Sequence, residues 1–147
     1  MALSFKLYTD AALTTEQVGN LVATQNSDGS TPPIQFQLFI GSLGSTGLDV
    51  VDRKLEADSD PGVDAISLAV TDTTPGSGSD PAETKLALTQ GGLAAATPGA
   101  ALALATVINS GSVNSIEFWV EFDDTTNTVG TSTELAVTTV PVRETDI

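Results

Sequence analysis

Apolar and polar residues alternate along several short segments of this chain, and this alternation predicts β-strands that bury one face. The clearest segment is SIEFWVEFDD, residues 115–124, in which Ile116, Phe118, Val120 and Phe122 share one side. The same period occurs in LSFKLY near the start, in IQFQLFIG from Ile34, and in AISLAV. Each segment is expected to form a strand with one side in a core.

Clusters of Gly, Pro, Asp and Ser separate the strand candidates and predict turns. The main clusters are NSDGSTPP, GSLGSTG, DSDPGVD and TTPGSGSDPAE. LDVVDRKLEA, a weaker strand candidate, lies between two of them, and TKLALTQ follows the last. Many short strands separated by turns predict an all-β fold, specifically an antiparallel β-sandwich. Residues 1–33 are more polar and are expected to form an N-terminal arm or an added hairpin, whereas residues 34–147 form the sandwich domain.

Two segments leave the local structure open. In residues 97–110, Thr97 and Pro98 would suit the start of a helix, but the alternation of leucines and the neighbouring strands favour strand. In TELAVTTVPV the apolar phase slips, which predicts a β-bulge near Thr138 and Thr139. Pro141 cannot donate a ladder hydrogen bond, so this end is expected at a sheet edge.

Charge excludes several classes of partner. Five Lys and Arg stand against nineteen Asp and Glu, which gives a net charge of −14. Such scattered cations cannot form a basic patch, so we expect neither nucleic-acid binding nor binding to an anionic membrane. The acidity serves solubility alone or suits a partner with a basic surface. The sequence shows no signal-peptide pattern and no apolar run long enough for a membrane helix, so a soluble protein is expected.

The residue inventory argues against an enzyme. The chain contains no Cys and no His, so the usual nucleophile–base triads cannot form. A Ser–Lys pair or paired carboxylates remain conceivable, but neither has a motif here. Glycine-rich phosphate-binding motifs do not occur either. We therefore expect no catalytic residue and no cofactor.

One acidic segment raises the question of a metal. DSDPGVD places Asp58, Asp60 and Asp64 at even spacings, and calcium prefers such oxygen ligands. The EF-hand pattern fails, however, because the sixth position from Asp58 is Val63 rather than Gly. A tight turn with Pro61 and Gly62 at its centre is the favoured interpretation, and no metal site is predicted.

Two aromatic residues fall on the polar side of their strands. Trp119 lies between the core-phase residues of SIEFWVEFDD, and Phe39 does the same in IQFQLFIG. Large aromatic residues on an outer face often mark a protein contact, because they bury much area at low entropic cost. Two alternatives are that a loop or the N-terminal arm covers them, or that they stabilise the sheet as cross-strand neighbours.

Two stretches of the chain resemble known proteins. The runs QLFIGS and RKLEADSDPGVDAISLAVTDTTP resemble a stretch in structural proteins of tailed bacteriophages, where an apolar strand ending in Gly leads to a PGxDxI turn and strand. The run FWVEFDDTTNTVGTSTELAVTT is similar to the last two strands of an immunoglobulin-like domain, joined by a hairpin. Together the stretches extend from Gln37 to Thr139.

The resemblance implies a virion protein with an immunoglobulin-like sandwich. Small acidic proteins of this kind are often head decoration (cement) proteins, usually homotrimers on the capsid surface. The expected partners are then the major capsid protein and further copies of the chain, and the expected location is the capsid surface. A tail or fibre component is one alternative, and a calcium-stabilised carbohydrate-binding or adhesin module is another.

In the decoration hypothesis, the LSFKLY segment adds as a strand to the sheet edge of a neighbour. The outward aromatic residues make the remaining contact. The candidate interface residues are Leu3, Phe5, Leu7, Tyr8, Phe39 and Trp119.

Overall fold

The computed structural model describes residues 3–25, 33–73, 80–123 and 130–147. Within these ranges the chain has β-strands and three short 3-10 helices, and no α-helix. The strands are β1 (Lys6–Tyr8), β2 (Leu21–Gln25), β3 (Ile34–Gly41), β4 (Arg53–Ala57), β5 (Ser67–Asp72), β6 (Thr84–Ala87), β7 (Leu102–Ala103), β8 (Val107–Asn109), β9 (Ile116–Phe122), β10 (Gly130–Thr139) and β11 (Val142–Asp146). The 3-10 helices are Pro81–Glu83, Gly91–Ala95 and Ser112–Asn114.

The strands form three antiparallel sheets that pack together. The first sheet has the order β1–β3–β9–β6, the second β2–β10–β5–β7, and the third β11–β4–β8. Every pair of neighbouring strands runs antiparallel. The predicted all-β fold, an antiparallel β-sandwich, is therefore confirmed. In the described part of the chain, no helix has the length and apolar character to span a membrane.

The pair of β3 and β9 forms the centre of the first sheet and sets its inner face. Leu38 lies opposite Phe118, and Phe36 lies opposite Val120. These side chains belong to a hydrophobic core that also takes Leu68 from the second sheet, and Leu55 and Ile108 from the third. The phase predicted for IQFQLFIG and SIEFWVEF is thus confirmed.

The N-terminal residues contribute a strand to each of two sheets. β1 is the outer strand of the first sheet, and β2 is the outer strand of the second. Phe5 and Leu21 are both buried in the main core. In this structure the described part of the segment predicted as an arm or added hairpin therefore belongs to the sandwich. The predicted turn NSDGSTPP lies outside the described residues apart from Pro33.

The C-terminal phase slip has a different cause from the one predicted. TELAVTTVPV is not one bulged strand: β10 ends at Thr139, and β11 begins at Val142 in another sheet. The amide of Val140 donates to the carbonyl of Ser67 at 3.0 Å, and Pro141 has no amide hydrogen to continue the ladder. The register shift of β10 lies instead between Ser132 and Leu135. The predicted edge position near Pro141 is confirmed, because β11 is an outer strand of the third sheet.

The resemblance to an immunoglobulin-like domain predicted a hairpin in FWVEFDDTTNTVGTSTELAVTT, and this prediction is wrong. β9 pairs with β3 and β6 in the first sheet, whereas β10 pairs with β2 and β5 in the second. The chain therefore crosses from one sheet to the other between these strands. The physical reason is that both strands bury an apolar face, and facing sheets bring those two faces together. Residues 124–129, the expected hairpin loop, lie outside the described residues, as do residues 74–79 of the loop TTPGSGSDPAE.

Residues 97–110 contain no helix. They contain the short strands β7 and β8, joined by irregular chain. Leu104 donates its amide to the carbonyl of Ile66 at 2.8 Å, and the amide of Ile66 donates to Ala105 at 2.9 Å. The preference for strand is confirmed for these two elements, because pairing with β5 and β4 outweighs the helix propensity of the alanines.

We expect Phe118→Ala to lower the free energy of unfolding by about 3–5 kcal/mol, because it leaves a cavity in the main core. Urea denaturation would measure the change. Val22→Ala, on the exposed side of β2, is the control and should change stability by less than about 0.5 kcal/mol. Equal effects of the two substitutions would contradict the assignment of the core.

Candidate functional site

The outer face of the first sheet carries three aromatic side chains. Tyr8 pairs with Phe39, and Trp119 pairs with Gln37 on one side and Ala87 on the other. Because side chains alternate along a strand, Tyr8, Phe39 and Trp119 all point away from the core. We call this surface, defined by these three residues, the aromatic face. All three side chains are half-buried.

Phe39 and Trp119 are diagonal neighbours on adjacent strands. Phe39 lies opposite Glu117, two residues before Trp119 on β9. Diagonal positions on neighbouring strands are about 7–8 Å apart, a distance that aromatic side chains can bridge. The register therefore brings together two of the residues that the sequence singled out.

A carboxylate fixes the orientation of the tryptophan ring. The indole Nε1 of Trp119 donates to Oε1 of Glu117 at 2.9 Å. Nε2 of Gln37 donates to the same oxygen at 2.7 Å. Two donors on one carboxylate oxygen link β3 to β9 above the sheet. The indole ring is thereby oriented by a hydrogen bond within the sheet.

A second polar group lies on the other side of Trp119. Nε2 of Gln35 donates to Oε2 of Glu121 at 3.0 Å, and Nε2 of Gln90 donates to Oε1 of Gln35 at 2.7 Å. Lys85 forms a long ion pair with Glu121 at 4.0 Å. Polar side chains thus border the tryptophan, and a residue that follows β6 reaches across to β3.

One margin of the aromatic face is covered by the 3-10 helix Gly91–Ala95. This helix contacts β6 and β9. A Cβ built on Gly92 would lie 3.3 Å from the Cβ of Ala87, the cross-strand neighbour of Trp119. Leu93 of the same helix is buried. The structure therefore provides part of the cover that the sequence left open as an alternative.

Another margin is closed by Leu13, from the segment between β1 and β2. Leu13 is buried and has a backbone φ of 58°. A Cβ on Gly41 would lie 2.8 Å from Cδ1 of Leu13 and 3.0 Å from Cβ of Ser115, so a side chain there would require its neighbours to shift. Gly41 follows the core residue Ile40, and the leucine therefore packs on the side opposite the core. The aromatic face lies between these two covered margins.

The candidate residues of the N-terminal segment lie at different depths. Leu3 is exposed, Phe5 is buried in the main core, and Leu7 packs against that core. β1 pairs with β3 of the same chain, and Tyr8 forms a bridge with Glu16 on its other side. The predicted strand addition is thus made within the chain in this structure, and Phe5 acts as a core residue.

Glu144 joins the N-terminal segment to the third sheet. Its carboxylate accepts hydrogen bonds from the amide of Ser4 at 2.7 Å, the Ser4 hydroxyl at 2.6 Å and Nε of Arg53 at 2.9 Å. Arg53 also pairs with Asp146. Burial would raise the pKa of Glu144, but the hydrogen bonds from Ser4 and the charge of Arg53 outweigh it and hold the pKa below its usual value.

The acidic segment DSDPGVD forms the predicted turn. The amide of Val63 donates to the carbonyl of Asp60 at 3.1 Å, with Pro61 and Gly62 between them. Gly62 has a φ of 80°, as the third residue of a type II turn requires. In the described ranges no three carboxylates converge on a possible metal position, so the three aspartates of this segment do not form one.

The amides and carboxylates around Trp119 were not singled out from the sequence. Gln35, Gln37, Glu117 and Glu121 occupy the polar positions of the two alternating strands, so the alternation carried a signal for them. No such signal exists for Gln90 or for Leu93 of the 3-10 helix Gly91–Ala95, because neither lies on an alternating strand. Comparisons of the chain with protein-family models, curated proteins and solved structures gave no match.

We expect Glu144→Gln to lower the free energy of unfolding at pH 7 by about 1–3 kcal/mol, since Arg53 loses a charged acceptor. The pKa of Glu144 in the folded protein lies below its ordinary value of 4.5. Its stabilisation is therefore present above pH 4.5 and is lost as the pH falls through the folded pKa.

The difference between wild type and Glu144→Gln should therefore shrink on acidification below that pH. Chemical denaturation across a pH series would measure it. A difference that stays constant from neutral to strongly acidic pH would contradict the role of the carboxylate. Glu16→Gln is a suitable control, because Glu16 forms an exposed ion pair and should contribute little.

Proposed function

We propose that this chain is a non-enzymatic virion structural protein, a decoration or cement protein that binds the outer surface of a capsid. Its mechanism is burial of area across subunit boundaries, which strengthens the shell. The observation that carries the proposal is the aromatic face. Three of the seven aromatic residues of the chain point outward on one sheet.

The aromatic face has the physical properties of a contact surface. The indole of Trp119 donates to Glu117, and buried residues lie at two margins of the face, Leu93 in the 3-10 helix that contacts β6 and β9 and Leu13 against Gly41. Side chains that are fixed before binding lose little entropy on binding, so more of the contact energy contributes to affinity. Aromatic residues in such positions are the ones that most often dominate interfaces.

The charge distribution favours a partner with a basic surface. The net charge is −14, and four of the five cations are already ion-paired with carboxylates. A basic patch on the capsid would therefore meet a surface with little positive charge to repel it. The capsid as partner comes from the resemblance of QLFIGS and RKLEADSDPGVDAISLAVTDTTP to phage structural proteins. Assembly into a homotrimer follows from the same resemblance.

Carbohydrate binding is the second candidate, and a separate observation favours it. Amides and carboxylates border Trp119 on both sides. They belong to Gln35, Gln37, Glu117 and Glu121. Sugars bind by stacking on an aromatic ring while such groups bond to their hydroxyls. A capsid contact would instead use the whole aromatic face, including Tyr8 and Phe39.

The test is to mix the protein with empty capsids and measure binding of Trp119→Ala. We expect this variant to bind about 30-fold more weakly, which corresponds to about 2 kcal/mol, because a central aromatic contact is lost. Val63→Ala, an exposed apolar position in the turn of DSDPGVD, is the control and should bind as wild type does. Light scattering would measure whether the protein is a trimer, and whether Trp119→Ala weakens it.

Two results would count against the proposal. If Trp119→Ala unfolds the domain while Trp119→Phe binds capsids normally, Trp119 serves the fold. If wild type and Trp119→Ala bind capsids equally but only wild type is retained on immobilised polysaccharide, the aromatic face is a carbohydrate site.

A further inference from the structure

Exposed apolar residues occur at one end of the sandwich, next to the margin of the aromatic face at Gly41, where a Cβ would lie 3.0 Å from Cβ of Ser115. Leu48, Val51 and Val113 are 79%, 53% and 88% exposed. They lie on two loops, residues 42–52 between β3 and β4 and residues 110–115 between β8 and β9. We call the surface formed by these three residues the loop pole.

Contacts between the two loops bring the residues of the loop pole near one another. The amide and hydroxyl of Ser112 donate to Asp49 at 2.5 and 2.7 Å. Leu48 directly precedes Asp49 in the chain, and Val113 directly follows Ser112. A Cβ built on Gly111 would lie 2.9 Å from Cγ2 of Val51. Val51 thus packs on the residue that precedes Ser112. The two loops form one surface.

Buried hydrogen bonds hold this surface rigid. The hydroxyl of Ser110, which is fully buried, donates to the carbonyl of Val50 at 2.7 Å and accepts from the amides of Asp52 and Arg53 at 3.0 and 3.1 Å. The amide of Gly111 donates to the carbonyl of Ser42 at 2.7 Å. The apolar side chains are exposed to solvent, but the backbone that carries them is held in place by these hydrogen bonds.

Positive backbone φ angles shape the first loop of the loop pole. Gly44 has a φ of 88°, and a Cβ there would lie 2.5 Å from Cγ2 of Val50. Asp49 adopts a φ of 60°, a conformation that few residues accept and that the hydrogen bonds from Ser112 support.

Negative charge borders the loop pole. Asp49 and Asp52 are ionised acceptors on the first loop, and Asp146 lies beside them because the amide of Ile147 donates to the carbonyl of Asp52 at 3.1 Å. Arg53, at the start of β4, is already paired with Glu144 and Asp146. A second copy of the chain would bring the same carboxylates together, and an anionic membrane would be repelled in the same way.

We propose that the loop pole is a second protein-binding site, and that its partner is an apolar protein surface bordered by Lys or Arg. The apolar side chains supply buried area, and the carboxylates select a basic partner over a second acidic copy. This site uses none of the residues of the aromatic face, so it does not depend on the function proposed above. One protein can then join two partners.

The probe is a fluorescent amphipathic peptide of leucine and lysine, with binding followed by anisotropy. The pole variant is Leu48→Ser with Val113→Ser. The matched control is Val22→Ser with Val63→Ser, at positions 60% and 66% exposed elsewhere on the surface. Both variants keep the net charge of the wild type. We expect the pole variant to bind roughly tenfold more weakly and the control to stay within about twofold of wild type.

Each other result overturns the proposal. Equal binding by both variants, or equal binding of a peptide with serine in place of leucine, would show attraction by net charge alone. Binding of the wild type to phosphatidylcholine vesicles that the pole variant loses, without the peptide effect, would make the partner a lipid surface. A dimer in light scattering that only the pole variant abolishes would make it a second copy. Thermal melting of both variants establishes that they are folded.

Discussion

The antiparallel pairing of β3 with β9 is the interaction on which the rest of the structure depends. One register places Leu38 opposite Phe118 on the inner side and Gln37 opposite Trp119 on the outer side. Because the period of a strand is two, a slip by one residue would exchange the two faces. The hydrophobic core fixes the register, and the register then fixes the position of Trp119. The register that builds the core thus also positions the outward aromatic residues.

The alternation of residues predicted the two faces of this pair, and together with the Gly- and Pro-rich clusters it predicted the fold class. The cluster DSDPGVD itself predicted the turn at Pro61 and Gly62. Alternation was not sufficient to predict how the strands are shared among sheets. β9 and β10 both alternate, and alternation says only that each has an inner face, not which strand lies beside it. The hairpin expected from the resemblance failed at this point, since the two strands pair with different partners in different sheets.

Contacts between residues far apart in sequence were also beyond prediction. Ser4 and Glu144 are 140 residues apart, and Gln90 and Gln35 are 55 apart. No pattern in the neighbouring sequence indicates either pair, because each contact depends on how the chain crosses between sheets. Pro141 did carry a signal, and it marked the end of a ladder correctly. At Pro141 the chain leaves the second sheet and enters the third. β11 then places Glu144 beside Ser4, and this contact holds the N-terminal segment on the sandwich.

The aromatic face and the loop pole are rigid for the same physical reason. In each, a carboxylate accepts two hydrogen bonds that link separate segments: Glu117 from Gln37 and Trp119, and Asp49 from the amide and hydroxyl of Ser112. An acidic chain has many such acceptors and few cations to occupy them. Hydroxyls, amides and the indole therefore take the role that lysine and arginine have in other proteins. Part of the excess of acidic residues thus orders the surfaces through which we propose that the protein binds.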